Sequence, residues 1–121
     1  MILLSACNQE SNQPNSSYNN RDLQINSDRM TPEVLWSFGQ LGNLAVSPDG
    51  NTIAYTVSYS NIEENRSYSD IYIVPVKGGN PIQITQTHSN ESQVGWRPDG
   101  KKITFLSKET GETQLWEMNV N

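Results

Sequence analysis

One segment of the chain places a histidine, two serines and a glutamate close together. His88 is the only histidine, and Ser89, Glu91 and Ser92 follow it in TQTHSNESQ. These residue types serve as base, nucleophile and orienting acid in hydrolytic triads. Side chains this close together in a polar loop rarely adopt the required geometry, so we interpret the segment as a connection between strands. The chain also lacks a G-x-S-x-G motif, which exposes the serine nucleophile of α/β-hydrolases, so we expect no catalytic residue in it.

The charge and residue content argue against several kinds of ligand. Thirteen acidic residues outnumber eight scattered Lys and Arg, which gives a net charge of −5. A nucleic-acid-binding surface needs clustered basic residues, so we expect no nucleic-acid partner. No spacing of His, Cys and acidic residues is typical of a metal site, and nothing in the sequence indicates a cofactor.

The first seven residues, MILLSAC, end in the only cysteine of the chain. Leu4-Ser5-Ala6-Cys7 resembles the lipobox of bacterial lipoproteins, in which the cysteine is acylated and becomes the new N-terminus. The resemblance implies an exported periplasmic or cell-envelope lipoprotein that contacts the membrane only through its lipid. The preceding apolar run is shorter than a signal peptide needs, so we expect a misplaced start or an upstream truncation. An ordinary free cysteine is the alternative.

Two further segments precede the main fold. Residues 8–30 are dominated by Asn, Gln and Ser, which bury too little apolar surface to offset chain entropy, so we predict a flexible linker. Residues 31–42 are predicted to form a short helix and a lead-in. Thr31 is a suitable N-cap, Pro32 suits the first helical position and Gly39 suits a stop, so we predict a helix at about 32–38. Val34, Leu35 and Phe38 would share one side of it.

From residue 43 onward, apolar residues alternate with polar ones in short runs bounded by turn residues, which is typical of strands. Pro75 and Pro81 indicate strand ends or edge strands, where a missing amide donor is tolerated. A polar loop is expected at 60–69. The predicted strands are 43–47, 51–59, 70–76, 81–86, 93–97, 101–107 and 112–120.

The strand region contains an internal repeat. Ser-Pro-Asp-Gly at 47–50 returns as Arg-Pro-Asp-Gly at 97–100, and Tyr55 returns as Phe105 at the same spacing of 50 residues. Further on, Ile71 and Tyr72 align with Leu115 and Trp116 at a spacing of 44 residues. Tandem repeats diverge in this way, because insertions collect in loops while strands keep their register. The aspartates of both turns are interpreted as turn formers and not as acid catalysts.

Each repeat resembles a four-stranded blade of a β-propeller, of the Pro-Asp-Gly type found in TolB-type proteins and in the prolyl oligopeptidase family. MTPEVLWSFGQLG before the first repeat resembles the start of the mature region in bacterial dipeptidyl peptidases and acylaminoacyl peptidases of that family. We therefore predict an all-β, incomplete β-propeller, with blade one at 43–92 and a partial blade two at 93–121. Aromatic residues at equivalent strand positions are expected to pack between blades, namely Tyr55, Tyr72, Trp96, Phe105 and Trp116.

The resemblance implies an N-terminal fragment of a longer enzyme, because propellers close with 4–8 blades. A C-terminal α/β-hydrolase domain would carry a Ser-Asp-His triad, and the propeller would gate the access of peptide substrates. It also implies that Glu63 and Glu64 could hold a substrate's ammonium group, although a solvated loop is an open alternative. Two other functions remain open: a non-catalytic TolB-like periplasmic binding or scaffolding propeller, and a small surface lipoprotein whose partial propeller oligomerises.

Overall fold

The computed structural model describes residues 28–120, in which one helix precedes seven strands in two antiparallel sheets. The helix is α1 (Pro32–Ser37). The first sheet contains β1 (Gln40–Val46), β2 (Thr52–Asn61), β3 (Arg66–Pro75) and β4 (Ile82–Gln83), in that order. The second contains β5 (Ser92–Trp96), β6 (Lys102–Ser107) and β7 (Gln114–Asn119). The predicted all-β class and incomplete propeller architecture are confirmed. The predictions for Cys7 and for nearly all of the linker lie outside the described residues.

The helix α1 begins as its sequence predicts. Thr31 Oγ1 accepts a hydrogen bond from Val34 N at 3.3 Å, and Pro32 and Glu33 occupy the first turn. The helix ends at Ser37, one residue before the predicted end, because Phe38 already has an extended backbone. None of its residues is buried, and Leu35 and Trp36 are at least half exposed. The helix therefore packs only loosely on the sheets.

The two Pro-Asp-Gly turns have the same geometry. Asp49 Oδ1 accepts from Asn51 N at 3.0 Å, and Asp99 Oδ1 accepts from Lys101 N at the same distance. Gly50 and Gly100 have φ values of +75° and +71°, which favour glycine at these positions. The interpretation of both aspartates as turn formers is confirmed.

The strand pairing confirms the internal alignment of the repeat. Tyr55 pairs with Tyr72 in the first sheet, and their counterparts Phe105 and Trp116 pair in the second. Both β1 and β5 also contain a register shift at matching places, between Leu41 and Leu44 and between Ser92 and Gly95. The two copies therefore share the register of their ladders as well as their turns.

The predicted polar loop at 60–69 is wrong. The strands β2 and β3 pair without interruption as far as Asn61 and Arg66, and only residues 62–65 form the turn. Asn65, at φ +49°, closes it by donating from its backbone N to Ile62 O at 3.2 Å. The polar residues of this segment led to the prediction of a loop. Two strands that extend beyond the core can still pair through their backbones, because backbone hydrogen bonds do not require apolar side chains.

Other strand bounds differ by a few residues. The strand β1 begins at Gln40 and not at 43, because Gln40 and Leu41 pair with Ser58 and Val57 of the long β2. The strand β4 is reduced to two residues, Ile82 and Gln83. As predicted, Pro75 ends β3 and Pro81 immediately precedes β4.

The core lies between the two sheets. Buried Ala54 and Ile71 of the first sheet pack with Val94, Ile103 and Phe105 of the second, and Trp96 and Trp116 pack against this cluster. The prediction of packing between blades is therefore confirmed for the three aromatic residues of the second sheet.

Tyr55 and Tyr72 behave differently from their counterparts in the second sheet. They alternate with Ala54 and Ile71 along β2 and β3, so they lie on the opposite face of the first sheet. There their rings stack on each other at 5.8 Å. Tyr55 and Tyr72 therefore do not pack between the two sheets described here. Equivalent positions face the same way in both sheets, and only one face of the first sheet contacts the second.

Candidate functional site

The residues singled out for chemistry lie at one end of the sheets, which we call the distal end. Because hairpins alternate between ends, the Pro-Asp-Gly turns occupy one end, and the distal end carries the turn 62–65, the connection 84–91 and the loop 108–113. His88, Ser89 and Glu91 lie on the connection, and Glu63 and Glu64 lie on the turn. The fold therefore gathers both predicted groups at the same end.

Glu91 is the most buried acid at this end, with a side chain that is 1% exposed. Its Oε1 accepts from Thr87 Oγ1 at 2.6 Å and from Ser107 Oγ at 3.0 Å, whereas its Oε2 has no partner among the described residues. Its backbone joins β3, because Ser69 Oγ donates to Glu91 O at 2.7 Å. Burial raises the pKa of Glu91, and the hydroxyls of Thr87 and Ser107 counteract part of that effect. Glu91 thus connects the two sheets.

Asp70 is a second buried acid, on β3, and it is 2% exposed. Its Oδ1 accepts from Thr85 Oγ1 at 3.4 Å and from Thr87 N at 3.3 Å. Burial raises the pKa of Asp70 to about 6, and the nearby charge of Glu91 adds to the increase. Asp70 was not among the residues predicted for a site, although an acid directly before the apolar run IYIV is a signal that could have identified it.

The structure does not assemble a triad through Glu91. The carboxylate accepts from Thr87 and Ser107, and Ser89 Oγ accepts from Lys108 N at 3.1 Å. The His88 ring packs edge-on against Tyr68 with centroids 6.0 Å apart. A base needs an acid that accepts from it and a nucleophile that donates to it, and neither Glu91 nor Ser89 takes that role with His88.

Two surface pockets share Arg66 and Ser67 as a common wall. The first, of about 260 Å³, also contacts Tyr68, His88, Ser89, Asn90 and Lys108. The second, of about 380 Å³, extends toward α1, where Trp36 and Ile62 supply apolar surface. The distal end therefore combines a cationic pocket with an apolar groove beside it.

Glu63 and Glu64 are both exposed on the turn 62–65. Glu64 Oε2 accepts from the Tyr68 hydroxyl, and its backbone N donates to Asn61 Oδ1 at 3.2 Å. The hydrogen bond to Glu64 raises the pKa of Tyr68. This contact fixes Glu64 beside the cationic pocket.

Neither a metal cluster nor a membrane helix occurs in the part of the chain that the structure describes. Among residues 28–120, no three His, Cys, Asp or Glu side chains lie together in a way that could hold a metal ion. Within the same residues, no helix is long and apolar enough to cross a membrane.

Comparisons with known proteins agree with this architecture. A model described as the TolB beta propeller domain matches residues 17–121, and the chain belongs to this family. Dipeptidyl-peptidase 5 of Porphyromonas gingivalis is 38% identical over 88 residues, which make up 73% of this chain but only 13% of that protein.

Solved structures of two kinds show the same fold. An acylaminoacyl peptidase from Pyrococcus horikoshii superposes with a TM-score of 0.59 at 25% identity, over 72% of this chain and 13% of the peptidase. A putative TolB from Agrobacterium tumefaciens superposes with a TM-score of 0.50 at 25% identity, over 69% of this chain and 27% of that one. The chain thus resembles the propeller part of peptidase-family proteins and spans a small share of each relative.

Proposed function

We propose that this chain is the N-terminal propeller segment of an exported serine peptidase that releases dipeptides or acyl-amino acids from peptide N-termini. In this proposal residues 43–92 are blade one and residues 93–121 are part of blade two. The observation that carries it is the 38% identity to a dipeptidyl-peptidase, together with the superposition on an acylaminoacyl peptidase. A TolB-type propeller by itself occurs with different activities, so the peptidase similarity is the support for this proposal.

In the proposed enzyme, one domain carries out peptide cleavage and another controls the access of substrates to it. A C-terminal α/β-hydrolase domain would supply a Ser-Asp-His triad that forms an acyl-enzyme. The propeller would restrict entry to short or unfolded peptides. The distal end, with its polar loops and pockets, is the surface of this segment that we assign to contacts with the peptide.

Glu63 and Glu64 are proposed to hold the free ammonium group of the substrate. Both carboxylates are exposed on the same turn, and Tyr68 fixes the position of Glu64. A charge-assisted hydrogen bond to an ammonium group becomes stronger when water is excluded around it. The E63Q and E64Q variants should then raise KM for dipeptidyl substrates with a free N-terminus and leave KM for acylated substrates unchanged.

The activity is tested on the protein expressed from its complete coding sequence. Chromogenic dipeptidyl and acyl-aminoacyl substrates should be hydrolysed, and a serine-directed fluorophosphonate should label the protein covalently and stop the reaction. A propeller segment produced alone serves as the control and should hydrolyse neither substrate. Absence of both labelling and hydrolysis in the complete protein would rule out the peptidase proposal.

The second candidate is a non-catalytic TolB-like binding or scaffolding propeller, which the superposition on a putative TolB favours. It predicts a complete protein that fluorophosphonate does not label but that copurifies with stable partners from the cell envelope. The labelling experiment therefore separates the two candidates in a single measurement.

Attachment of the protein to the cell envelope through Cys7 is a separate part of the proposal. Growth with an alkyne-bearing fatty acid should label the wild-type protein, and the C7S variant should lose both the label and its place in the membrane fraction. An S5T variant, which changes a neighbouring residue and keeps the cysteine, is the matched control. Equal labelling of C7S and wild-type protein would exclude lipidation at this residue.

A further inference from the structure

Basic side chains converge on the smaller pocket of the distal end. Arg66 comes from the start of β3, His88 from the connection to the second sheet, and Lys108 from the loop after β6. Three segments that are far apart in sequence therefore meet around about 260 Å³ of open space. This convergence is notable in a chain whose net charge is −5.

Arg66 and Lys108 form no ion pair within the described residues. Arg97 and Lys102 both contact Glu117 at 2.6 Å, on the face of the second sheet away from the core. By contrast, neither Arg66 nor Lys108 has a carboxylate oxygen within 4.0 Å among residues 28–120. A concave site with two cations that form no ion pair attracts anions.

Two carboxylates of the distal end form hydrogen bonds with neighbouring hydroxyl groups. Glu64 accepts from the Tyr68 hydroxyl, and the buried Glu91 accepts from Thr87 and Ser107. The charge of Glu109 acts on Glu91, whose pKa it helps to raise. Arg66 and Lys108 are therefore the charged groups of the pocket that we assign to contacts with a ligand.

Hydroxyl groups and an apolar neighbour complete the site. Ser89 Oγ accepts from Lys108 N at 3.1 Å and lies 3.4 Å from Ser107 Oγ, and these contacts hold the hydroxyl at the pocket. Arg66 also lines the adjoining groove, whose apolar surface comes from Trp36 and Ile62. An anionic group bound in the pocket could therefore carry an apolar substituent into the groove.

We propose that this pocket is a binding site for a small oxyanion, above all an organic carboxylate with an aromatic or aliphatic substituent. Arg66 and Lys108 would pair with the anion, Ser89 would donate a hydrogen bond to it, and Trp36 would contact the substituent. The site does not depend on the proposed peptidase activity, because it requires no catalytic group.

The test uses a probe that has no peptide bond, so that binding is measured separately from hydrolysis. Calorimetric titration of the complete protein compares 3-phenylpropionate, its neutral amide and inorganic phosphate. We expect 3-phenylpropionate to bind and its amide to bind at least about 10-fold more weakly, because the amide lacks the charge that the two cations recognise. Stronger binding of phosphate than of 3-phenylpropionate would identify the oxyanion itself as the preferred ligand.

Variants assign the binding to this pocket. K108Q and R66Q should each raise the Kd about 3- to 10-fold, whereas K108R, which keeps the charge, should restore most of the affinity. K101Q, which removes a lysine at the opposite end of the sheets, should leave Kd unchanged. Circular dichroism melting confirms that each variant is folded. Equal binding of acid and amide, no binding of either anion, or equal effects of K108Q and K101Q would overturn the proposal.

Discussion

The side-chain amide of Asn43 forms two hydrogen bonds with the backbone of Val94. Its Nδ2 donates to Val94 O at 3.1 Å, and its Oδ1 accepts from Val94 N at 3.2 Å. Val94 lies in the register shift of β5, where it has no partner in β6. Asn43 lies in the matching register shift of β1. The Asn43 side chain of the first sheet therefore forms hydrogen bonds with the backbone of Val94, which has no partner within the second sheet.

The N43A variant should lower the free energy of unfolding by about 1–3 kcal/mol, because two buried backbone groups of Val94 lose their partners. Urea denaturation followed by circular dichroism measures this change. N80A, in the exposed turn before β4, is the matched control and should lie within about 0.5 kcal/mol of wild type. Equal stability of the two variants would show that the amide of Asn43 does not hold the sheets together.

Trp96 makes the second polar link between the first strands of the two sheets, because its Nε1 donates to Ala45 O at 2.9 Å. W96F keeps most of the ring but removes this donor, so it should lower the free energy of unfolding by about 1–2 kcal/mol. W36F changes a tryptophan of α1 that is 50% exposed, and it should have little effect. If thermal melting shifts both variants by the same amount, the indole hydrogen bond is not the cause.

Two glycines on the first strands should respond differently to a methyl group. A Cβ at Gly42 would overlap Thr56 Oγ1, whereas a Cβ at Gly95 would meet Thr104 Oγ1 at an ordinary 3.5 Å. G42A should therefore destabilise the fold by about 1–3 kcal/mol, because Thr56 is buried and has little room to move. G95A should change stability by less than about 0.5 kcal/mol in the same denaturation experiment. The reverse order would contradict the packing of β1 on β2.

Asp70 should make stability depend on pH. Its pKa rises from 3.8 in the unfolded chain to about 6 in the folded protein, so the folded state binds more protons between these values. The contribution of Asp70 to the free energy of unfolding therefore falls as pH rises from about 4 to 6, and it stays low above that range. D70N, which keeps the accepting oxygen, should be more stable than wild type by about 1–3 kcal/mol at pH 7 and similar to it at pH 3.5.

The control for D70N is E112Q, which neutralises an exposed acid in the loop before β7. The difference in free energy of unfolding between E112Q and wild type should be the same at pH 3.5 and at pH 7. Guanidinium denaturation at both values gives the comparison. A D70N effect of equal size at the two pH values would show that burial of the charge is not its origin.

The sequence by itself determined the local and periodic features of this protein. The Pro-Asp-Gly turns, the cap at Thr31 and the register of the repeat follow from residue types at fixed short spacing, because turn geometry, capping and side-chain alternation are local properties of the backbone. The recurrence of aromatic residues at equivalent positions of the repeat predicted the packing of Phe105 and Trp116 between the sheets, but it made the same prediction for Tyr55 and Tyr72, which lie on the other face.

The tertiary structure alone decided the contacts between segments. Asn43 and Val94 are 51 residues apart. Nothing in the residues around either one indicates that a side chain of the first sheet would form hydrogen bonds with the unpaired backbone of the second. The burial of Asp70 and the meeting of Arg66 with Lys108 likewise depend on how two sheets stack. Stacking is fixed by the sum of many weak apolar contacts over the whole interface, so the position of each polar side chain is set only when the fold is complete.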